Sequence, residues 1–193
     1  MKINPKIKAY AIIALIALLI PISINWFTFL AHFFSDGNDT PVNPLEYNIL
    51  TDSTAAVSKC CPEIENISIP EKIHIEGKDY IVTKIGKKAF SYCRKLTNII
   101  IPSSVTEIEY SAFSGCSSLT NVKLPSNITC INDFTFYECT NLKIIIIPSN
   151  VTSIGYEAFE GCNNLDVVIN NSKDGVNVEM YAFKGCKSVR YTK

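Results

Sequence analysis

The chain has 193 residues, is 47% hydrophobic, and carries 18 Lys and Arg against 18 Asp and Glu, for a formal charge of zero. That length holds one domain plus an appendage. The scattered, balanced charges exclude a nucleic-acid binder, which needs clustered Lys and Arg to displace counterions from phosphates.

The appendage comes first. Lys2, Lys6 and Lys8 precede an uncharged stretch over residues 9–34, densest over 11–22. An apolar run of about 20 residues spans a bilayer, so residues 1–34 read as a signal-anchor or, alternatively, a cleaved signal peptide. The lysines favour the cytoplasmic side, which places the remainder outside the membrane. All 18 acidic residues and 15 basic ones lie beyond Phe34, a net of −3 for that outward part.

Residues 35–44, rich in Asp, Asn, Gly and Pro, read as a linker. Residues 45–81 read as an N-terminal cap of two hairpins. The first joins Tyr47-Asn48-Ile49-Leu50 to Ala55-Ala56-Val57 through a polar turn. In the second, Ile67-Ser68-Ile69-Pro70 leads into Ile73-His74-Ile75, and Tyr80-Ile81-Val82 returns after Glu76-Gly77-Lys78-Asp79.

Residues 82–193 repeat. Ala89-Phe90-x-x-Cys93 recurs at Ala112-Phe113-x-x-Cys116, Thr135-Phe136-x-x-Cys139, Ala158-Phe159-x-x-Cys162 and Ala182-Phe183-x-x-Cys186, at spacings of 23, 23, 23 and 24 residues. A unit this short cannot bury its own apolar face, so the coils must stack into a solenoid with a shared core. Leu-x-x-Ile-x-Ile before Pro102, Pro125 and Pro148 alternates with period two and predicts a short parallel strand ended by the proline. Val-x-x-Ile forms an opposite wall. Ala-Phe-x-x-Cys-x-x-Leu has the three- and four-residue spacing of a helical turn, and its phenylalanines should stack offset at the strand repeat of about 4.8 Å. The fifth coil drifts: one residue is inserted around positions 170–175, the proline is lost, and Val189 stands in the leucine position. The last strand is expected to be incomplete, leaving an open edge tolerated by its charge, covered by another copy, or marking a truncated product.

The motif Val-x-x-Ile-x-x-x-Ala-Phe-x-x-Cys-x-x-Leu-x-x-Ile-x-Ile-Pro resembles the BspA-type (Treponema pallidum-type) leucine-rich repeat. So do its lead-in hairpin over residues 47–57 and the run Gly77-Lys78-x-Tyr80-x-Val82-Thr83-x-Ile85-Gly86. The resemblance runs from about Pro44 to the end. It implies a mostly β repeat solenoid with short helical turns and 23-residue coils, on a surface or secreted protein of host-associated bacteria or protists often linked to adhesion.

Eight cysteines invite a disulfide or metal reading. Cys93, Cys116, Cys139, Cys162 and Cys186 share one repeat position and should point the same way, which suits free buried thiols better than serial bridges or a tetrahedral zinc site. Cys60 and Cys61 lie in the cap with no visible bridging partner, and Cys130 sits at an outward position. With only His32 and His74 in the chain no catalytic grouping recurs, and Glu107, Asp133, Glu138 and Glu160 read as solvated turns. No catalytic residue, metal or cofactor is expected. Five Asn-x-Ser/Thr sequons, among them those at Asn127 and Asn150, read as chance and duplication.

The expected contact surface is the outward face of the parallel strands, with columns Asn98, Asn121, Ile144, Val167 and Ile100, Lys123, Ile146, Ile169. Ile144, Ile146, Val167 and Ile169 should form one exposed apolar patch. The reading is an adhesin-like cell-surface or secreted module presenting this face to an extracellular protein or glycan. The alternative is a self-associating structural surface protein.

Overall fold

The computed structural model describes residues 44–192. The membrane segment and almost all of the linker expected from sequence lie outside the described residues. Among the described residues, no helix is long and apolar enough to cross a membrane.

Strands β1 (Leu45–Ile49) and β2 (Thr54–Cys60) form the first expected hairpin, antiparallel with a bulge between Glu46 and Tyr47. Next comes β3 (Asn66–Ser68), followed by β4 (Lys72–Ile75) and β5 (Lys78–Ile85), which form the second hairpin around Glu76 and Gly77, both at positive φ. Thereafter the chain alternates between two walls. It runs through β6 (Asn98–Ile100), β7 (Glu107–Ile108), β8 (Asn121–Val122), β9 (Cys130–Ile131), β10 (Ile144–Ile147), β11 (Ser153–Ile154), β12 (Asp166–Ile169), β13 (Asn177–Val178) and β14 (Ser188–Tyr191).

The larger wall is a six-stranded parallel sheet in the order β14-β12-β10-β8-β6-β3. It begins inside the segment read as cap, because Ile67 pairs with Ile99 and Ile69-Pro70 repeats Ile101-Pro102. The opposite wall is thinner: two-residue strands β9, β11 and β13 pair in parallel, and β7 continues onto β5.

Between the walls the Ala-Phe-x-x-Cys segment forms no α-helix. Its three-residue spacing is realised as successive i→i+3 turns, for example Cys93 N–H to Phe90 O at 3.1 Å and Leu96 N–H to Cys93 O at 3.1 Å. Continuation as a helix is blocked twice per coil by left-handed residues: Lys88, Ser111, Phe134, Glu157 and Tyr181 at one position, and Tyr92, Gly115, Glu138, Gly161 and Gly185 at the other. The one helix among the described residues is a 3-10 turn at Lys173–Gly175, in the insertion.

The core is a set of ladders. Phe90, Phe113, Phe136, Phe159 and Phe183 stack with centroids 5.1, 5.3, 5.3 and 5.7 Å apart and interplanar angles of 18°, 6°, 6° and 14°. These centroid separations exceed the strand spacing of about 4.8 Å, so each ring slides sideways over the last, as the aromatic quadrupole favours. All eight cysteines are free thiols, and Cys93, Cys116, Cys139 and Cys162 are buried in one column. Four ladder thiols have a carbonyl partner in the coil before: Cys116 Sγ donates to Phe90 O at 3.0 Å, Cys139 to Phe113 O at 3.2 Å, Cys162 to Phe136 O at 3.0 Å and Cys186 to Phe159 O at 3.4 Å. Cysteine recurs here because the site is small, apolar and faces a carbonyl that a weak donor satisfies.

The fourth coil departs from the sequence repeat. Ile144 pairs with Asp166, Ile145 with Val167, Ile146 with Val168 and Ile147 with Ile169, an offset of 22 in place of 23. The cause is Asn170. In the 23-residue register Asn170 would occupy the inward position that Ile147 fills, burying an amide. Sliding by one residue buries Ile169 there and turns every side chain of the strand over. The offset returns as 24 at Ser153 with Asn177, once the 3-10 turn has taken up the slack. The fifth coil is shortened again, so Val189 pairs with inward Val167, not with a leucine, and Tyr191 pairs with Ile169. Contrary to expectation, the last strand is complete.

Candidate functional site

Register fixes what the large sheet presents. One outward column reads Asn66, Asn98, Asn121, Ile144, Asp166 and Ser188, and the second contains Ser68, Ile100, Lys123, Ile146, Val168 and Arg190. Of the expected face, Asn98, Ile100, Asn121, Lys123, Ile144 and Ile146 are exposed together. Val167 and Ile169 are not: both are 0% accessible and point into the core. The expected four-residue apolar patch therefore shrinks to Ile144 and Ile146, at 42% and 53% exposure, with Ile100 at 65% on the far side of Lys123. Val168, which takes the outward place, is 7% exposed.

Both ends of this face are internally tied. At one end Asn98 Nδ2 donates to Asn66 Oδ1 at 2.9 Å and Thr97 Oγ1 to the same oxygen at 3.2 Å. At the other, Asp166 accepts Lys187 Nζ at 2.8 Å and Ser188 Oγ at 2.6 Å. The Lys187 and then the Ser188 bond hold the Asp166 carboxyl below the ordinary range. The middle is different. Lys123 and Lys143 are exposed beside the isoleucines, and neither has a carboxylate partner among the described residues.

A second exposed feature is absent from the sequence reading. Tyr110, Phe134, Tyr156 and Tyr181 run edge to face along the turn segments, with centroids 5.5, 5.5 and 6.1 Å apart, and Tyr137 packs on Phe134 at 5.7 Å. The rings zigzag because they alternate between two adjacent repeat positions, and the second of these is left-handed. The signal was available as an aromatic in one or other of two neighbouring columns. This edge is already satisfied. Lys87 and Lys184 sit 5.0 Å over Tyr110 and Tyr181. A hydrogen bond to Glu157 pushes the Tyr156 hydroxyl up to about 12, and the Glu138 charge raises Tyr137.

Of the carboxylates read as solvated turns, Glu107, Asp133 and Glu160 are bonded, and exposed Glu138 lies beside Tyr137. Glu107 and Glu109 flank Lys84 at 2.9 and 3.2 Å, Asp133 accepts the Tyr156 N–H at 2.8 Å, and Glu160 accepts Lys184 at 2.7 Å. Among the described residues, no group of three or more His, Cys, Asp or Glu could hold a metal. His74 lies in the second hairpin, 2.8 Å from Asp79. Cys130 is half-buried, and burial with the nearby Glu107 charge raises its thiol. Two sequon asparagines are structural: the amides of Asn127 and Asn150 donate across coils to Ser103 O and Ser126 O at 3.3 and 2.9 Å.

The family model for the BspA type leucine rich repeat region matches residues 58–190 in six copies. The chain belongs to this family. The sixth copy fits the strand order, in which β3 adds one rung upstream of the five sequence coils. Among solved structures, this BspA-type chain is similar to a leucine-rich repeat protein from Bacteroides ovatus, with 33% identity, 79% of this chain and 41% of that one covered, and a TM-score of 0.66. It is also similar to the T. pallidum leucine rich repeat protein, at 28% identity, 79% and 71% coverage and a TM-score of 0.66. A leucine-rich repeat protein from Bacteroides capillosus matches at 28% identity, 79% and 96% coverage and a TM-score of 0.56. The chain thus spans less than half the length of the B. ovatus protein. No curated protein matches it.

Proposed function

We propose that this BspA-type solenoid is a non-catalytic binding module at the cell surface, which holds a partner protein on the outward face of its parallel sheet. The observation that carries the reading is the centre of that face. Ile100, Ile144 and Ile146 stand exposed beside Lys123 and Lys143, whose charges have no carboxylate partner among the described residues. Exposed β-branched side chains supply contact area at little entropic cost, and unpaired lysines favour an acidic partner surface. The aromatic edge is a poorer candidate because its rings, cations and hydroxyls already satisfy one another. The lysine-flanked apolar segment at the N-terminus supports delivery across a membrane, as an anchor or a leader, with residues 35–44 as the spacer.

The test is a panel of extracellular matrix and host-surface proteins, with a glycan array alongside, probed with the full chain, with Ile146→Lys and with Lys123→Glu. A protein ligand whose affinity falls at least tenfold with both variants supports the reading. A ligand that tolerates both, or binding confined to glycans, overturns it. Concentration-dependent assembly abolished by Ile146→Lys would instead make the face a contact between copies of this chain.

A further inference from the structure

Four of the five ladder thiols, Cys116, Cys139, Cys162 and Cys186, bond to the residue in the phenylalanine position of the preceding coil. Upstream of the first coil, that position is occupied by Cys60. Its N–H donates to Ala89 O at 2.8 Å, just as Phe90 N–H donates to Ala112 O at 2.8 Å and Phe113 N–H to Thr135 O at 2.9 Å. The same rule therefore aims Cys93 at Cys60. Both residues are buried, at 5% and 2% exposure, Cys60 Sγ donates to Cys61 O at 3.3 Å, and the two thiols act on each other strongly enough that Cys93 pushes Cys60 up while Cys60 holds Cys93 down. Among the described residues this is the junction at which a cysteine stands in the phenylalanine place; farther along, Cys139 and Cys162 also act on each other, but within the ladder column and with each thiol bonded to a phenylalanine carbonyl of the preceding coil.

We infer that Cys60 and Cys93 form a disulfide when the chain matures in an oxidising compartment, fastening the cap to the first coil. The reaction needs a small-molecule disulfide as oxidant. One cysteine thiolate attacks a sulfur of the oxidant and expels one thiolate, leaving a mixed disulfide. The second cysteine thiolate then attacks the protein sulfur of that intermediate, forming the Cys60–Cys93 bond and expelling the second thiolate. The two cysteines lose two protons and two electrons, and the oxidant leaves as two thiols. Because both groups are buried in the folded chain, the bond forms during folding, before the cap closes. The closed loop spans 33 residues and encloses β3, β4 and β5.

The experiment refolds the full chain in detergent with a glutathione redox couple, alkylates free thiols, and maps non-reduced tryptic peptides by mass spectrometry. Cys60 and Cys61 share one such peptide, so a Cys61→Ser variant assigns the sulfur. The expected result is one cross-link between the Cys60 and Cys93 peptides, retained in Cys61→Ser and lost in Cys60→Ser. Its formation should raise Tm by roughly 5–10 °C, reversibly with a reducing thiol. Should Cys60→Ser fail to fold, a Cys61→Ser/Cys130→Ser double variant must still form the link. Alkylation of both Cys60 and Cys93 after oxidative refolding, or a bond through Cys61 or Cys130 in their place, overturns the inference. The readout involves no partner, so failure here leaves the strand-face reading untouched.

Discussion

At the scale of single residues, the two ladders differ in what they contribute. Phe136 is fully buried between Phe113 and Phe159, so Phe136→Ala removes two stacked contacts and opens a cavity, at a cost of about 3–5 kcal/mol. Cys139→Ala removes a small group and one weak hydrogen bond to Phe113 O, a carbonyl that keeps the Cys116 N–H, and should cost about 1–2 kcal/mol. Urea unfolding of both variants checks the order. Burial raises Cys139, and Cys186 is pushed up to about 12, so at pH 8 these two ladder thiols stay protonated. An aromatic disulfide reagent added to the reduced native protein should therefore titrate half-buried Cys61 first and Cys139 only at the rate of unfolding. Gly115 is left-handed, and a methyl group there would meet the Tyr92 ring at 2.5 Å. Gly115→Ala should lower Tm by several degrees, and Tyr92→Ala should return part of the loss by removing the clash but not the φ cost.

At the scale of elements, the strands and the stacking direction were legible because Val-x-x-Ile, Phe and Leu-x-x-Ile-x-Ile recur at one spacing. β12 was misread for the same reason. Carrying the period forward placed Val167 and Ile169 outside, although the amide of Asn170 at an inward position was visible in the sequence and forbids that register. The correction has a measurable consequence. Ile169→Asn should destabilise by about 3–5 kcal/mol, whereas Ile146→Asn, on the exposed side of the neighbouring strand, should cost less than about 1 kcal/mol. Thermal denaturation giving equal losses would restore the 23-residue register. Two further features escaped sequence reasoning. The left-handed turns hold Lys, Ser, Phe, Glu and Tyr where glycine would have announced them, and Cys60 sits outside any 23-residue spacing. The β12–β14 junction also carries a pH dependence. The Asp166 carboxyl has its folded pKa depressed, so its stabilisation is fully present above the unfolded value of about 4 and is lost as pH falls through the folded one. Hydrogen exchange of the β14 amides should accelerate at that acid limb in the parent chain but stay flat in Asp166→Asn.

At the scale of the whole described body, every coil is bonded only to its neighbours, so stability is a sum of junctions and not a property of one centre. That makes the two ends unlike. The β14 end is one coil, held by β14 on β12, β13 on β11, Phe183 on Phe159 and the Lys187 and Ser188 bonds to Asp166, while the other end is closed by the β1–β2 hairpin on β5. Opening should begin at β14 and move inward. Successive loss of amide protection from β14 to β12 to β10 is the expected pattern, and simultaneous loss across all coils would contradict it.

Under tension the same geometry becomes a length reserve. A coil of 23 residues advances the stack by only the strand spacing of about 4.8 Å, yet peeled off and drawn straight it yields roughly 70–80 Å of chain. If the proposed tether and strand-face contact both hold, the chain would lengthen under flow one coil at a time, limiting the load on that contact.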